Sequence, residues 1–537
     1  MTSTIQQLLA QYDTEDACAA ELLCDRHPRD AVAFTVVEAD LSSRDVTYGE
    51  LTDRSSEFAA ALAELGVQEG DGVAVLMGKS YELVVTLLGI WRLGAVHVPL
   101  FTAFAPAAIA LRLGASDAKA VVVDADQRAK LEPGEDMPAE RSWRTVVVGA
   151  VPGTDEVSFD ELMAAHAGAS HPAARVGRSG LLVQLFTSGT TGTPKAVPVP
   201  VRALASFHAY LELGLDVRED DVFWNAADPG WAYGLYYAIL GPLAAGRRSL
   251  LLHAGFSPAL TYRVLERFGV TNVAAAPTVY RALRADATPV PSGLRLRRAS
   301  SAGEPLTPDV IGWSEGALGV SVRDHYGQTE HGMMIVNAWH DDLTQPVRPA
   351  SMGQPLPGWS AAVLHEDRDE VAPPGTPGRV AIDVTASPLL WFEGYVGAPD
   401  KTAERFTDDG RWYVTGDAGS VDEDGYFYFS ARDDDVIIMA GYRIGPFEVE
   451  SVLVMHERVA EAAVVGMPDP LRGESLEAFV VLRDGPGDEA LVSELQQLVK
   501  DKFAAHAYPR RVHFVDELPK TPSGKVQRFL LRQSPVV

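Results

Sequence analysis

Cysteine is nearly missing from this chain, with Cys18 and Cys24 the only two in 537 residues. One pair cannot build the disulfide framework of a small secreted scaffold, and there is no second pair for a tetrahedral thiolate zinc site. A reducing compartment is expected, and with it a cytoplasmic protein. Cations are also in short supply. Lysine plus arginine number 46 against 73 aspartates and glutamates, a formal charge of −27. Polyanions are repelled overall, which argues against a nucleic-acid-coating protein and leaves phosphate to a few local cationic or amide-lined sites. Long apolar runs are lacking too. The stretch 81–101 is broken by Glu82, Arg92 and two glycines, short of the roughly 18 uninterrupted residues that a membrane helix needs. The opening MTSTIQQLLAQYDTEDACAAELL has no basic segment followed by an apolar one, so no signal peptide is expected. What is present is ordinary globular chemistry, 47% apolar and 22% charged, on a chain long enough for several folding units.

Short β-branched runs recur between helical patterns: 73–78, 95–100, 119–125, 144–150, 247–253 and 271–277. Alternation of this kind predicts parallel sheets covered by helices, an α/β fold. Residues 47–66 repeat apolar side chains at spacings of three and four and read as an amphipathic helix, whereas 81–94 is apolar nearly all round and reads as a buried one. The proline- and glycine-rich stretch 355–384 predicts a small β-subdomain within the large N-terminal domain. The last hundred residues predict a small α+β C-terminal domain. The acidic triplet 433–435 marks the boundary, giving an N-terminal domain 1–431, a hinge 432–435 and a C-terminal domain 436–537.

The segment LFTSGTTGTPKAVPVP (185–200) carries the sharpest chemistry. An apolar strand runs into Thr187, Ser188, Gly189, Thr190, Thr191 and Gly192, followed by Lys195. Glycines turn successive amides toward an anion, hydroxyls add donors and lysine adds charge, which suits a polyphosphate. It is not a Walker loop, because the lysine falls three positions after the second glycine rather than directly after it. Downstream, in order, lie SAGEPL (301–306), DHYGQTEHG (324–332), WFEGY (391–395), YVTGD (413–417), ARDDDVIIMAGYRIGPFEVE (431–450) and PKTPSGKVQR (519–528).

This ordered series resembles the adenylate-forming superfamily of acyl-CoA synthetases, peptide-synthetase adenylation domains and firefly luciferases. The resemblance spans nearly the whole chain and implies a two-step ligase. A carboxylate attacks the α-phosphate of ATP with Mg2+, giving an acyl-adenylate and pyrophosphate, and a thiol then displaces AMP. It further implies a residue-by-residue division of labour. Lys525 would bridge the carboxylate and the α-phosphate, and Arg443 would contact phosphate during adenylation. Glu330, after Gln328 and Thr329, would hold magnesium. Thr187 and Thr190 would donate to the β- and γ-phosphates, within a phosphate loop completed by Ser188, Gly189, Thr191 and Lys195. Gly303, Glu304, Pro305 and Tyr326 would form the adenine cleft, with Asp324 on the same nucleotide-binding segment. Asp417 would accept both ribose hydroxyls, with Arg432 on the ribose or phosphates. Asp434 matches the hinge about which the C-terminal domain rotates between half-reactions, and Ala440, Gly441 and Tyr442 would then line a tunnel for coenzyme A. Ala196 and Ala431 stand where the family usually has glycine. The lysine loop also resembles a site at which related ligases are silenced by a lysine acyltransferase, here at Lys525.

Residues 226–246 resemble the corresponding stretch of acetyl-CoA synthetases, with Trp231 matching a tryptophan near their acyl site. A second tryptophan, before the Gln-Thr-Glu of acetate enzymes, is replaced here by Gly327, as in medium-chain ligases. A short-to-medium-chain or compact aromatic acid is therefore expected. Tyr233, Tyr236 and Tyr237 could narrow the acyl pocket, or, at helical spacing, belong to the core. A free-standing carrier protein could replace coenzyme A as the thiol. A non-catalytic adenylate-binding relative would lack Lys525, Glu330 or Asp417, and all three are present.

Overall fold

The computed structural model describes residues 2–187, 194–432, 435–439, 442–469, 473–504, 507–521 and 525–533. Each β-branched run forms a strand. Gly72–Leu76, Val96–Pro99, Ala120–Asp124 and Arg144–Val148 lie side by side in a seven-stranded sheet that is parallel except at one edge, where Leu181–Thr187 turns back antiparallel into Lys195–Pro200. A second, thirteen-stranded sheet has a parallel half, in which Val32–Glu38, Ser249–His253, Phe223–Asn225, Asn272–Ala275, Arg298–Ala302 and Arg323–Gln328 are neighbours in that order.

The β-subdomain expected around 355–384 is not separate. Ser351–Pro355 pairs with Gly332–Val336 on one side and with Phe427–Arg432 on the other. It thereby continues the parallel half into an antiparallel one that ends in Trp412–Val421, Gly378–Asp383 and Ala361–Leu364. Proline and glycine density marks the turns of this half but carries no information about which strand the first one joins.

Two helices explain how the sheets are held. Tyr48–Glu64 starts at Thr47, whose hydroxyl accepts from the Glu50 amide, and Tyr81–Leu93 starts at Ser80, whose hydroxyl accepts from the Leu83 amide. The second is buried from Leu83 onward, in line with its all-round apolarity. Its one interior cation, Arg92, is reconciled with burial by a fork onto the Asp25 carboxylate at 2.5 and 2.9 Å. Gly94 ends the helix at φ +77°, a left-handed value that suits glycine. Cys18 and Cys24 are both buried and unpaired.

The C-terminal unit is a five-stranded sheet of Tyr442–Ile444, Ile437–Met439, Gly473–Leu482, Val459–Asp469 and Arg511–Phe514. The helices Pro446–Leu453, Glu489–Lys502 and Arg528–Gln533 accompany it. The protein has an α/β fold with large N-terminal sheets and a small C-terminal sheet domain. No helix among the described residues is long and apolar enough to cross a membrane.

Candidate active site

The antiparallel turn at the edge of the first sheet brings Thr187 opposite Lys195, with the Thr187 hydroxyl 3.4 Å from the Lys195 carbonyl. Ser188, Gly189, Thr190 and Thr191, between them, lie outside the described residues. Ala196 sits in regular pairing with Phe186, and its carbonyl accepts from the Val396 amide at 3.0 Å, so alanine in place of glycine leaves the strand intact. The Lys195 ammonium lies 4.8 Å from the centre of the Tyr395 ring. Burial and the neighbouring Arg405 depress its pKa, while Glu330 opposes them.

Tyr395 links this cation to the expected metal carboxylate, because its hydroxyl donates to Glu330 Oε1 at 2.8 Å with both residues buried. Arg405 completes the group. It donates to the Thr415 carbonyl at 3.1 Å, and although burial works against its charge, Tyr395, Tyr413 and Glu330 more than offset that and raise its pKa. The sequence pattern gives Tyr395 no role and offers no signal for Arg405, because TAERF carries no glycine or hydroxyl signature. Among the described residues no three His, Cys, Asp or Glu side chains gather as a metal site. Glu330 stands as a single carboxylate, which is the donor set that suits Mg2+ shared with phosphates rather than a metal caged by protein.

The strand Arg323–Gln328 carries the second cluster. Tyr326 and Gln328, two apart and so on one face, both donate to Asp417 Oδ2, at 2.5 and 2.6 Å. Asp417 is opposite Arg432 across the pair Trp412–Val421 and Phe427–Arg432, with Oδ1 3.1 Å from the guanidinium. Oδ1 is buried and receives no hydrogen bond, an acceptor that a ribose hydroxyl would satisfy. Ala431 sits beside it, paired with Ala418 at the edge of a register shift between Ala418 and Gly419. Thr329 enters only through its carbonyl, which accepts from the Tyr236 hydroxyl at 2.9 Å.

Asp324 is different from its expected role. Its carboxyl is buried and takes the Leu306 amide at 3.2 Å, so it holds the Gly303–Glu304–Pro305 loop from behind rather than facing the cleft. Burial pushes its pKa up to about 8. In that loop Gly303 has φ +100°, and a Cβ there would touch the Trp231 ring at 3.4 Å. The tryptophan expected at the acyl site thus packs directly on the segment expected to form the adenine cleft. Glu304 pairs with Arg281 at 2.7 Å through Oε2.

Lys525 approaches this cluster from the C-terminal unit. Its pKa is lowered by burial, and the charges acting on its ammonium are Glu304, Arg432, Asp417 and Glu330. The residue is exposed, with its ammonium within electrostatic reach of four charged side chains that the motifs assign to nucleotide and metal. Arg443 and Tyr442 form the short strand Tyr442–Ile444, and only their backbone is described. Ala440, Gly441 and Asp434 lie outside the described residues.

Two expectations for the acyl pocket change. Gly327 does not open onto empty space. A Cβ there would lie 2.1 Å from the Gly332 carbonyl oxygen and 2.6 Å from the Met333 Cα, because the register shifts between Tyr326 and Gly327 in the pair with Gly332–Val336. Tyr233 is core: it is 1% exposed, with its hydroxyl 3.3 Å from that of Tyr210 and its ring behind Trp231. Tyr237 is likewise committed, accepting from the Met333 amide at 2.7 Å.

Residues 21–395 match the family described as AMP-binding enzyme, and residues 448–525 match the AMP-binding enzyme C-terminal domain. The chain is similar to the acetyl-coenzyme A synthetase of Bacillus subtilis (strain 168), 36% identical over 533 residues, 96% of this chain and 90% of that protein. It is also similar to the crystal structure of a Brucella canis acyl-CoA synthetase, 45% identical with a TM-score of 0.76, covering 99% of this chain and 97% of that one. The anthranilate CoA ligase AuaEII in complex with anthranoyl-AMP is 27% identical, with a TM-score of 0.86 and 97% of both chains covered.

Proposed function

Since this chain belongs to the AMP-binding enzyme family and is an AMP-forming acid–thiol ligase of the acyl-CoA synthetase kind, we propose that it activates a short-to-medium-chain or compact aromatic monocarboxylic acid and transfers it to coenzyme A. The observation that carries this is the cluster in which Tyr326 and Gln328 hold Asp417 opposite Arg432, with the charges of Glu304, Asp417 and Glu330 acting on the Lys525 ammonium.

In the first half-reaction a carboxylate oxygen forms a bond to the α-phosphorus, and the bond from that phosphorus to the bridging oxygen breaks, releasing pyrophosphate. The two reactants are both anions. Lys525 would lie between them and offset their repulsion as the new bond forms. Asp417, held through Oδ2 by Tyr326 and Gln328 and paired with Arg432 at Oδ1, would accept the ribose hydroxyls. Lys195 and the loop from Thr187 would face the β- and γ-phosphates, and Arg443 would contact phosphate. Glu330 would hold Mg2+ with those phosphates, and the ion would supply charge neutralisation. In the second half-reaction the thiol attacks the acyl carbonyl and AMP leaves. We assign the rotation between the two to residues 432–435 with Asp434 as hinge, separating domains 1–431 and 436–537, and the thiol arm to Ala440, Gly441 and Tyr442. Acylation of Lys525 would remove the charge that the first half-reaction needs.

The preference for a monocarboxylate is read from the apolar and aromatic segment 226–246 around Trp231, which carries no lysine or arginine to receive a second carboxylate. The relatives act on differing acids by their names, acetyl in one and anthranilate in another. A panel of carboxylic acids assayed for pyrophosphate release, with and without coenzyme A, tests the proposal. Acid-dependent release with CoA ester formed for C4–C8 or benzoate-like acids is expected, and release with no thioester formed from any acid would refute the thiol assignment.

A further inference from the structure

Lys525 lies three residues before Arg528, whose guanidinium is engaged by two carboxylates. Its guanidinium donates to both oxygens of Glu450, at 2.8 and 2.9 Å, and reaches Asp435 Oδ2 at 3.5 Å. Asp435 directly follows the proposed pivot, and its other oxygen takes Arg532 at 2.8 Å. Glu450 lies on the helix Pro446–Leu453 and also accepts the Val464 amide at 2.8 Å from the edge strand Val459–Asp469. One arginine therefore joins the lysine loop to the helix, the sheet and the first residue past the pivot.

Holding the terminal helix does not require this arrangement. Leu531 is buried beside Leu518, Ala463, Val465 and Phe479, an apolar anchorage of its own. Nor does the helix benefit, since a cation at the start of Arg528–Gln533 opposes the helix dipole. The charge serves the two carboxylates. Between Arg528 and the loop, the backbone is tied by Thr521 N–H to the Lys525 carbonyl at 2.7 Å, by Lys525 N–H to the Thr521 hydroxyl at 3.0 Å and by Gln527 N–H to the Pro519 carbonyl at 2.8 Å. An orientation fixed at Arg528 is thus passed to Lys525 with little slack.

We propose that Arg528, braced by Glu450 and Asp435, is a positioning residue for adenylation: it fixes the Lys525 loop to the segment that leaves the pivot, so that domain rotation delivers the ammonium to the acid and α-phosphate in register. This rests on the assignment of Lys525 to adenylation. Misplacement by about an ångström of a group that acts only in the transition state can cost on the order of 10²-fold. The second half-reaction, from which Lys525 is withdrawn, should not feel the loss.

The test compares Arg528→Gln, Arg528→Lys, Arg532→Gln and Lys525→Ala in acid-dependent pyrophosphate release and in thioester formation from a supplied acyl-adenylate. Arg528→Gln should lose roughly tenfold or more in the first and stay within about threefold in the second. Arg528→Lys should recover part of the loss, and Arg532→Gln, which reaches Asp435 alone, should lose less than Arg528→Gln. If Arg528→Gln does not fold, Glu450→Gln, which keeps the acceptor for Val464, replaces it with the same expectation. Equal loss in both half-reactions, or loss in neither while Lys525→Ala abolishes adenylation, would overturn the brace. Normal adenylation by Lys525→Ala would instead overturn the assignment on which it rests.

Discussion

Tyr326 and Asp417, 91 positions apart, are joined by a hydrogen bond of 2.5 Å from the phenol to Oδ2. The aromatic face expected against adenine and the carboxylate expected beneath ribose are therefore one unit, and on the proposed function both would act on the nucleoside together. Gln328 seals the arrangement from the same strand face.

Tyr326→Phe keeps the ring and removes the donor. A hydrogen bond to a charged group contributes about 1.5–3 kcal/mol, so KM for ATP should rise roughly tenfold or more while KM for the acid changes little. Steady-state kinetics with each substrate varied in turn checks this, and an unchanged KM for ATP would show that Asp417 does not depend on the phenol.

Gly303→Ala should damage both substrates at once. The residue sits at φ +100° against the Trp231 ring, so a methyl there adds backbone strain of about 1–3 kcal/mol and a contact on the acyl wall. KM for ATP and for the acid should rise together in the variant. A rise for ATP alone would separate the adenine cleft from the acyl wall.

Asp324 gives a pH prediction. Burial raises its folded-state pKa to about 8 from an ordinary value of 3.8, so the folded protein holds a proton that the unfolded chain releases. The stability this group confers is complete below the unfolded value and is lost as pH climbs through the folded one. In Asp324→Asn the amide oxygen would accept the Leu306 N–H without titrating. The Tm of that variant relative to the parent should therefore rise between about pH 5 and about pH 8, measured by thermal unfolding at constant ionic strength. A difference that stays flat or falls would contradict the neutral buried carboxyl.

Chain-length preference is expected to favour butyrate to octanoate, or a compact aromatic acid, over acetate. Gly327→Trp cannot report on it, because the side chain would have to displace the backbone of Gly332 and Met333. Trp231→Leu removes the wall without touching that strand pair. Each extra methylene accommodated is worth about 0.8 kcal/mol, or roughly fourfold, so kcat/KM should shift toward longer acids in that variant. An unchanged profile would place the end of the pocket elsewhere.

Much of this is legible in the sequence, and the exceptions share a cause. Strands announce themselves by β-branched runs, the buried helix Tyr81–Leu93 by its lack of a polar face, and Lys525, Glu330 and Asp417 by their motifs. What cannot be read is direction. Gly327 follows a register shift that turns its Cα toward the neighbouring strand, and no spacing of letters encodes that. Asp324 and Glu330 share one motif, yet one carboxyl turns inward to an amide and the other accepts from the Tyr395 hydroxyl. Arg405 acquires its place only because Gly416 and Thr415 fold against it. Likewise 355–384 shows its strands but not the edge they extend.

Acid-dependent pyrophosphate release by Lys525→Ala, set beside thioester formation from a supplied acyl-adenylate, measures the central relationship most directly. Loss of one preorganised charge donor at the reacting centre costs on the order of 10²–10³-fold, so release should fall by at least that factor while thioester formation is largely preserved. Pyrophosphate release at the parental rate would contradict the proposed role of Lys525 in adenylation.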